Sequence, residues 1–453
     1  MSRDPERAEG GEDAETERIA PSAGAREGTR ASLGELLPSP IIVVCLLLVV
    51  LGVVLRARSL GAPDALTFDE HHFVENARNY LHGKDDWNDH PPLGKLTIAA
   101  SIYLLGDTSF AWRVPALLAG FSILLCGAAL ARRLFPSRLA PLLAMGLLSA
   151  DGFLIAYSRT GLIDGQLVAL GLGAILLAAS RPRVIPLILA GLLTGLAANV
   201  KISGVAALGP LAFALWLAPF SPRRRFLAVG GAAMAFVLGF LLPWWVGLAL
   251  TGETADTWTA LSETRRLTLT HAAATTMEHP LTSSWPTWLV ALKPLVITRT
   301  GARDAVRIVT TLGNPLTWYS TTVAVIGSLG GLAWFGLRHT LAERRAGVEA
   351  VGAGLWATHG YGLVVLLVGW LSFLSPWVLT RRDPYIYHYL PCYTLAVILL
   401  AGIVSWVAER RHRVVLVFLL LTLDVAAFYT PVWSRLPLTQ EGLEARLFLR
   451  SWR

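Results

Sequence analysis

Four ionisable side chains stand together in the stretch DALTFDEHHF, residues 64–73, where Asp69 and Glu70 are followed directly by His71 and His72. Such a group is unusual in this chain, because only 15% of its residues are charged. A carboxylate partly withdrawn from water acquires a raised pKa, and it can then take a proton from an attacking alcohol. The stretch therefore predicts a general base. The alternative is that Asp69 only caps a short amphipathic helix over residues 70–81.

The two histidines raise the question of a metal site. Side chains on a helix converge when they are three or four residues apart, so the adjacent His71 and His72 make a poor pair of ligands. We therefore predict that the protein requires no metal and no other cofactor. A divalent cation held by these histidines and the neighbouring acids is the alternative.

A second polar cluster, DHPPLGK, follows in the same loop at residues 89–95. Its two prolines fix the backbone, and its glycine permits a close approach just before a cation, so we expect His90 and Lys95 to line a site. Further cations are predicted on the same side of the membrane: Arg113, Arg159, Lys201 and the adjacent Arg381 and Arg382. These cations could bind a phosphate, or they could be interfacial residues that extend towards lipid headgroups.

Membrane helices must position these groups. The chain is 54% hydrophobic with a mean hydropathy of +0.54. Its apolar residues come in runs of about 16 to 25, the length that crosses ~30 Å of hydrocarbon as a helix. We predict an all-α, polytopic membrane protein with about eleven spans. The predicted spans are 40–56, 112–134, 138–157, 161–180, 184–199, 203–219, 226–250, 316–338, 358–379, 389–407 and 412–432.

The basic loops predict the orientation. With a cytoplasmic N-terminus, the inside loops are RRLFPSR, RPR, SPRRRF, RHTLAERR and ERRHR, all short and basic. Residues 1–39 are then a disordered cytoplasmic tail, and 40–432 form the transmembrane domain. The loops 57–111 and 251–315 and the tail 433–453 lie outside. We therefore expect a multi-pass protein of the plasma membrane with its active site on the extracytoplasmic face.

Composition and motifs exclude several other functions. The net charge of +8 is spread over short loops between apolar runs, which indicates topology rather than nucleic-acid binding. The sequence has no P-loop and no dinucleotide fingerprint. A transporter would place its ionisable groups on broken helices near the midplane, a pattern largely missing here. The three cysteines have no metal-ligand spacing.

Eight stretches in order resemble the protein O-mannosyltransferases, membrane glycosyltransferases of the GT-C architecture. These are TFDEHHF, DHPPLGK, WRVPA, YSRTGLIDG, KISG, SSWPTWLVALKP, GNPLTW and YIYHYLP. The resemblance implies a polyprenyl-phosphate sugar donor, usually of mannose, and inverting transfer to a Ser or Thr hydroxyl of an exported protein. It also implies that Asp69 is the catalytic base, with Glu70 as its partner.

The resemblance assigns a phosphate-binding role to cations on the outer face. A polyprenyl phosphate leaves as an anion, so nearby Arg and Lys donors lower the barrier without a proton transfer. Arg113 lies where the family has a donor-site arginine, and Tyr387 and His388 face it from the last outer loop. The predicted donor-phosphate and substrate-binding residues are His90, Lys95, Arg113, Arg159, Arg381, Arg382, Tyr387 and His388.

The chain also departs from the family pattern. It lacks the large luminal MIR insert, which points to a bacterial-type enzyme. The family's Lys-Trp step reads Lys201-Ile202, and an arginine of the second outer loop is replaced by Lys293, which cannot form a bidentate contact with phosphate. The identity of the sugar and of the acceptor is therefore left open.

A related transferase acting on lipid A or a cell-wall glycan is the alternative, followed by a transporter of lipid-linked sugars. The expected partners are the lipid-linked donor, an exported protein and membrane lipid.

Overall fold

The computed structural model describes residues 39–85, 89–180, 183–273, 281–302, 304–343, 355–380 and 384–453. The predicted disordered tail, residues 1–39, lies outside this part of the chain except for its last residue. What is described is almost entirely helical, as the apolar runs predict.

The helices are α1 (Pro40–Ala57), α2 (Glu70–Leu81), α3 (Leu93–Leu105), α4 (Ser109–Leu134), α5 (Ala140–Ser149), α6 (Gly152–Ser158), α7 (Asp164–Ala178), α8 (Val184–Val200), α9 (Leu208–Leu217), α10 (Pro222–Thr251), α11 (Thr257–Ala273), α12 (Trp285–Trp288), α13 (Pro315–Glu343), α14 (Leu355–Leu379), α15 (Leu390–Ser434) and α16 (Gln440–Arg446). Short 3₁₀ turns occupy Ile202–Ala207, Ile386–Tyr389 and Arg450–Trp452. The strands are β1 (Val296–Thr300) and β2 (Arg307–Thr310).

Each predicted apolar run coincides with helical structure. Within the described residues, five helices are long and apolar enough to cross a membrane, or six when the bent pair α5–α6 counts as one span. The last two predicted spans both lie in α15, which consists of two helices joined by a kink at Arg411, inside the basic stretch ERRHR. The chain is a multi-pass membrane protein, and the count of eleven spans stays a prediction.

The predicted span 138–157 is broken into α5 and α6, whose axes are bent by 69°. Both new helix ends are satisfied by buried charges. Asp151 accepts hydrogen bonds from the first backbone N–H groups of α6, and Arg56 donates to the last two carbonyls of α5. The Asp151 carboxylate also accepts from the Tyr393 hydroxyl at 2.7 Å and the Asn314 backbone N–H at 2.8 Å. An acid at a helix N-terminus and a cation at a C-terminus both match the helix dipole.

The sequence break predicted at ANVKISG is present, because α8 ends at Val200 and a 3₁₀ turn follows Lys201. Small residues let α8 pack closely on α10. A Cβ added at Gly191 or Gly195 would collide with the backbone of α10, at Ala232 and Phe236 respectively. This is the close helix packing that membrane proteins obtain from glycine.

The two predicted outer loops are folded. The first contains α2 and α3, and the second contains α11, α12 and a two-stranded antiparallel sheet, β1 with β2, which was not predicted. The C-terminal residues pack on this second loop. Leu438 forms a backbone bridge with Val306, and the buried Trp452 donates its indole N–H to the Ala291 carbonyl at 2.8 Å.

Candidate active site

Asp69 immediately precedes α2, which begins at Glu70 as predicted. Its carboxylate makes no capping hydrogen bond to the helix, so the simple capping interpretation of this residue fails. The residue is half-buried, and burial raises the pKa of its carboxyl above the usual value. The charge of Lys201 opposes this rise in pKa, and the charge of Asp164 reinforces it.

Glu70 points away from Asp69 into the protein and is fully buried. Its two oxygens accept from the Arg113 guanidinium at 2.7 and 2.9 Å. They also accept from the backbone N–H of Gly161 at 2.6 Å and from Thr67, at 3.0 Å from the N–H and 2.9 Å from the hydroxyl. This carboxylate therefore ties the first outer loop to α4 and to the loop after α6.

Arg113 uses all five of its N–H groups inside the protein. Besides Glu70, it donates to the carbonyls of Leu60, Pro63 and Ala65 at 2.9 to 3.1 Å. A guanidinium has no further donors, so in this arrangement Arg113 holds the loop before Asp69 and has none left for a phosphate. The sequence predicted Arg113 as a donor-site arginine, and the structure places it one layer behind the site.

Lys201 is the cation whose charge most lowers the pKa of Asp69. Its ammonium donates to the Asp164 carboxylate at 2.7 Å, and both side chains are more than nine-tenths buried. The same ammonium lies 4.8 Å from the centre of the Tyr387 ring. Lys201 comes from the break after α8 and Asp164 from the first turn of α7, so two helix ends meet here.

Aromatic rings lie beside the Lys201–Asp164 ion pair. His388 stacks on Trp377 with ring centres 3.6 Å apart, and Tyr387 packs edge-on against the same imidazole at 4.4 Å. Together with Asp164 and Lys201, these rings line a small pocket. The structure thus brings the predicted residues Tyr387 and His388 to the cation that acts on Asp69.

His90 and Lys95 lie against α2. Lys95 is fully buried, with its ammonium 5.8 Å from the centre of the Tyr80 ring, and the His90 ring is 5.9 Å from that of Phe73. The backbone at Gly94, between His90 and Lys95, lies close to Ile163, since a Cβ on Gly94 would be 2.7 Å from the Ile163 side chain. The DHPPLGK segment therefore packs directly against the residue that precedes Asp164.

Arg159 belongs to a different group of residues. Its guanidinium is buried and donates to the carbonyls of Leu55 at 2.9 Å, Arg58 at 3.1 Å and Trp433 at 3.5 Å. It therefore braces the ends of α1 and α15 rather than joining Lys201. Arg381 and Arg382 lie outside the described residues.

Asp164 is the site residue that sequence reasoning missed. It stands in YSRTGLIDG, a stretch singled out for Arg159, and it is a lone acid at the start of an apolar run. That isolation was the available signal, because an unpaired carboxylate is costly in a membrane segment and predicts a buried partner. Among the described residues, no group of three or more His, Cys, Asp or Glu side chains is arranged to hold a metal ion.

Comparison with known proteins gives a consistent result. A family model described as the C-terminal four-transmembrane region of protein-O-mannosyltransferase matches residues 257–452. A second, described as dolichyl-phosphate-mannose-protein mannosyltransferase, matches residues 89–246. A polyprenol-phosphate-mannose–protein mannosyltransferase of Mycolicibacterium smegmatis is 27% identical, over 89% of this chain and 91% of that protein. The Mycobacterium tuberculosis protein of the same name is 26% identical, over 90% of this chain and 91% of its own length.

The fold also has a solved counterpart. A chain of the Saccharomyces cerevisiae protein O-mannosyltransferase Pmt1–Pmt2 complex, solved with the sugar donor bound, superposes with a TM-score of 0.76. The match covers 92% of this chain and 93% of that chain at 12% identity. At this level of identity the likeness shows the shared architecture.

Proposed function

Because this chain belongs to the protein O-mannosyltransferase family and is therefore a glycosyltransferase, we propose that it transfers mannose from polyprenyl-phosphate mannose to Ser or Thr hydroxyls of exported proteins. The names of the mycobacterial relatives support both the donor and the protein acceptor. Transfer proceeds with inversion at the anomeric carbon, and Asp69 is the base.

One observation carries the proposal at the level of residues. The half-buried Asp69 has a raised pKa, and the charges of the buried Lys201–Asp164 ion pair are among those that act on it. A base needs partial withdrawal from water to accept a proton from an alcohol, and a phosphate leaving group needs a nearby positive charge. In this proposal Asp69 supplies the base and Lys201 supplies the positive charge.

The reaction is a single displacement. The acceptor hydroxyl oxygen forms a bond to the anomeric carbon while the bond from that carbon to the donor phosphate oxygen breaks. The hydroxyl proton passes to the Asp69 carboxylate, and the bonding pair leaves with the polyprenyl phosphate. General base catalysis of this kind contributes about 10²- to 10⁴-fold.

Lys201 is the first candidate for contact with the leaving phosphate. Its ammonium is paired with Asp164 and sits over the Tyr387 ring, so a phosphate that enters the pocket would share this cation. His388 and Tyr387 line the same space and can donate to phosphate oxygens. Glu70 and Arg113 act as positioning residues, because their polar atoms are engaged with one another and with the backbone.

The test is Asp69→Asn in membranes supplied with labelled polyprenyl-phosphate mannose and a Ser/Thr acceptor peptide. We expect transfer to fall by about 10²-fold or more while donor binding is retained, because the amide cannot accept the proton. Asp64→Asn is the matched control, since Asp64 is an exposed acid of the same loop that accepts from the Ser109 hydroxyl. Substantial activity in Asp69→Asn would remove this residue from the mechanism.

The same assay separates the acceptor classes. Label that enters lipid or glycan rather than peptide would favour a related transferase of this architecture. Translocation of donor without any transfer would favour a transporter. Either outcome would overturn the proposed acceptor while leaving the fold and family unchanged.

A further inference from the structure

A second group of cations lies where α1, α6 and α15 end. Arg58 follows α1, Arg159 follows α6, Arg435 follows α15, and Arg307 opens strand β2. These ends lie on the same side of the bundle as Asp69, because the loop after Arg159 donates a backbone N–H to Glu70. This group, which we call the arginine cluster, is not used in the proposed reaction.

Backbone contacts hold the arginine cluster together. The Arg159 guanidinium donates to the carbonyl of Arg58 and to that of Trp433, two residues before Arg435. Arg435 in turn donates to the Thr300 hydroxyl at 3.1 Å, and Thr300 is paired across the hairpin with Arg307. The four cations therefore surround one corner of the fold.

Arg435 is held in an unusual way. Its φ of 59° places it in the left-handed region, where a helix normally ends with glycine and a residue with a Cβ is strained. Its Nε and one terminal nitrogen are buried, and neither finds a hydrogen-bond acceptor among the described residues. A buried donor without a partner is unfavourable, so a strained arginine with two such donors is poorly explained by packing alone.

The cluster has an excess of positive charge. No carboxylate in the described part of the chain lies within 4.0 Å of the guanidinium of Arg58, Arg159, Arg307 or Arg435. Burial lowers the pKa of Arg435, and the charges of Arg113 and Arg307 lower it further. Neighbouring cations repel one another, and an anion bound between them would offset this repulsion.

We propose that the arginine cluster binds a phosphate group, held by the free Arg435 donors and by Arg58. Arginine suits this ligand because its planar fork pairs with phosphate oxygens. Arg58 and Arg435 each stand just beyond the end of a membrane helix, which is the depth of lipid headgroups. An anionic phospholipid headgroup is therefore the expected source, and free phosphate is the alternative source of the same chemistry.

The test uses the full-length purified protein and does not depend on transferase activity. Native mass spectrometry and thermal unfolding are followed with a short-chain phosphatidylglycerol, with the matching phosphatidylcholine, and with inorganic phosphate. The variants are Arg435→Gln and Arg58→Gln. Arg265→Gln, an exposed arginine of α11 outside the cluster, is the control for loss of one positive charge.

We expect phosphatidylglycerol to bind in preference to phosphatidylcholine, and its Kd to rise about tenfold or more in Arg435→Gln and Arg58→Gln but not in Arg265→Gln. Binding of inorganic phosphate with the same dependence on these variants, and competition by it, would support the site with free phosphate as its source. Equal binding of both lipids with no response to phosphate would overturn the proposal, and so would equal losses in all three variants. Because Arg58 is exposed, its variant keeps the test decisive if Arg435→Gln does not fold.

Discussion

Asp69 and Glu70 show how two neighbouring carboxylates acquire different roles. Glu70 is buried, and its oxygens accept from a guanidinium, two backbone N–H groups and a hydroxyl inside the protein. Asp69 makes no capping bond and is partly withdrawn from water, so its ionised form is less favourable. Environment alone therefore separates a structural acid from a candidate base.

The raised pKa of Asp69 predicts an acid limb in the pH–rate profile. The base must be deprotonated to act, so the rate should fall as the pH drops through this raised pKa. When protonated, His72 lowers the pKa of Asp69. His72→Gln should therefore shift the acid limb towards higher pH, as measured by kcat/KM against pH with the peptide acceptor.

His71→Gln is the matched control for this shift. His71 is equally exposed and adjacent, but it is not among the charges that act most strongly on Asp69. An identical shift in both variants would show that general surface charge, rather than His72 specifically, determines the pH of the acid limb. A profile without an acid limb would count against a carboxylate base.

At this scale the sequence predicted part of the site. Asp69 could be recognised because DEHHF concentrates ionisable groups in an apolar chain, and α2 begins where the helical spacing predicts it. The Lys201–Asp164 pair could not be recognised from the sequence, because its members are 37 residues apart and meet only when α7 and α8 pack. The partners of Arg113 could not be predicted either, because they include carbonyls of a loop about 50 residues earlier.

Among the elements, the break between α5 and α6 is where several parts of the bundle come into contact. Gly152 opens α6 against the Trp433 indole and the Leu312 carbonyl, and a Cβ at this position would collide with both. The same corner contains Asp151, which accepts hydrogen bonds from Asn314, just before α13, and from Tyr393 of α15. A single methyl group here therefore has no space unless three segments move.

Gly152→Ala should lower the thermal unfolding temperature of the purified protein. Overpacking of this kind typically costs about 1–3 kcal/mol. Gly327→Ala is the control, because Gly327 lies within α13 with nothing within 4 Å of an added Cβ. That change should not destabilise the protein, and it should stabilise it by up to about 1 kcal/mol because alanine favours a helix over glycine. Equal stability of the two variants would mean that the α5–α6 corner can relax.

The elements were more predictable than their joints. Long apolar runs gave helices because a membrane leaves the backbone no other partner than itself. The α5–α6 break carried a visible cue in the Asp151–Gly152 pair, but an apolar window over 138–157 averages that cue away. The β1–β2 hairpin is short and lies in a polar loop, so its pairing depends on contacts with the C-terminal residues such as Leu438.

For the whole molecule, the basic loops predict that the Asp69 end of the bundle faces away from the cytoplasm. Single cysteines can test this in spheroplasts with a membrane-impermeant maleimide. Arg265→Cys, on α11 of the second outer loop, should be labelled in intact spheroplasts. Arg224→Cys, in the basic stretch that opens α10, should be labelled only after permeabilisation.

The native cysteines are a suitable background for this measurement, since Cys45 and Cys392 are buried and Cys126 is half-buried within α4. Labelling of Arg224→Cys but not Arg265→Cys in intact cells would invert the topology. The donor and acceptor would then have to meet on the cytoplasmic side, which contradicts the proposed modification of exported proteins.

The anchoring of Glu70 has a consequence for biogenesis. This one carboxylate is held by Thr67, by Arg113 of α4 and by Gly161 beyond α6. These contacts can all form only after α1, α4 and the bent pair α5–α6 have been made and have packed together. Until that moment the residue beside it has no fixed position. A partly inserted chain would therefore not react with the lipid-linked sugar. It would not hydrolyse the donor before the protein has folded.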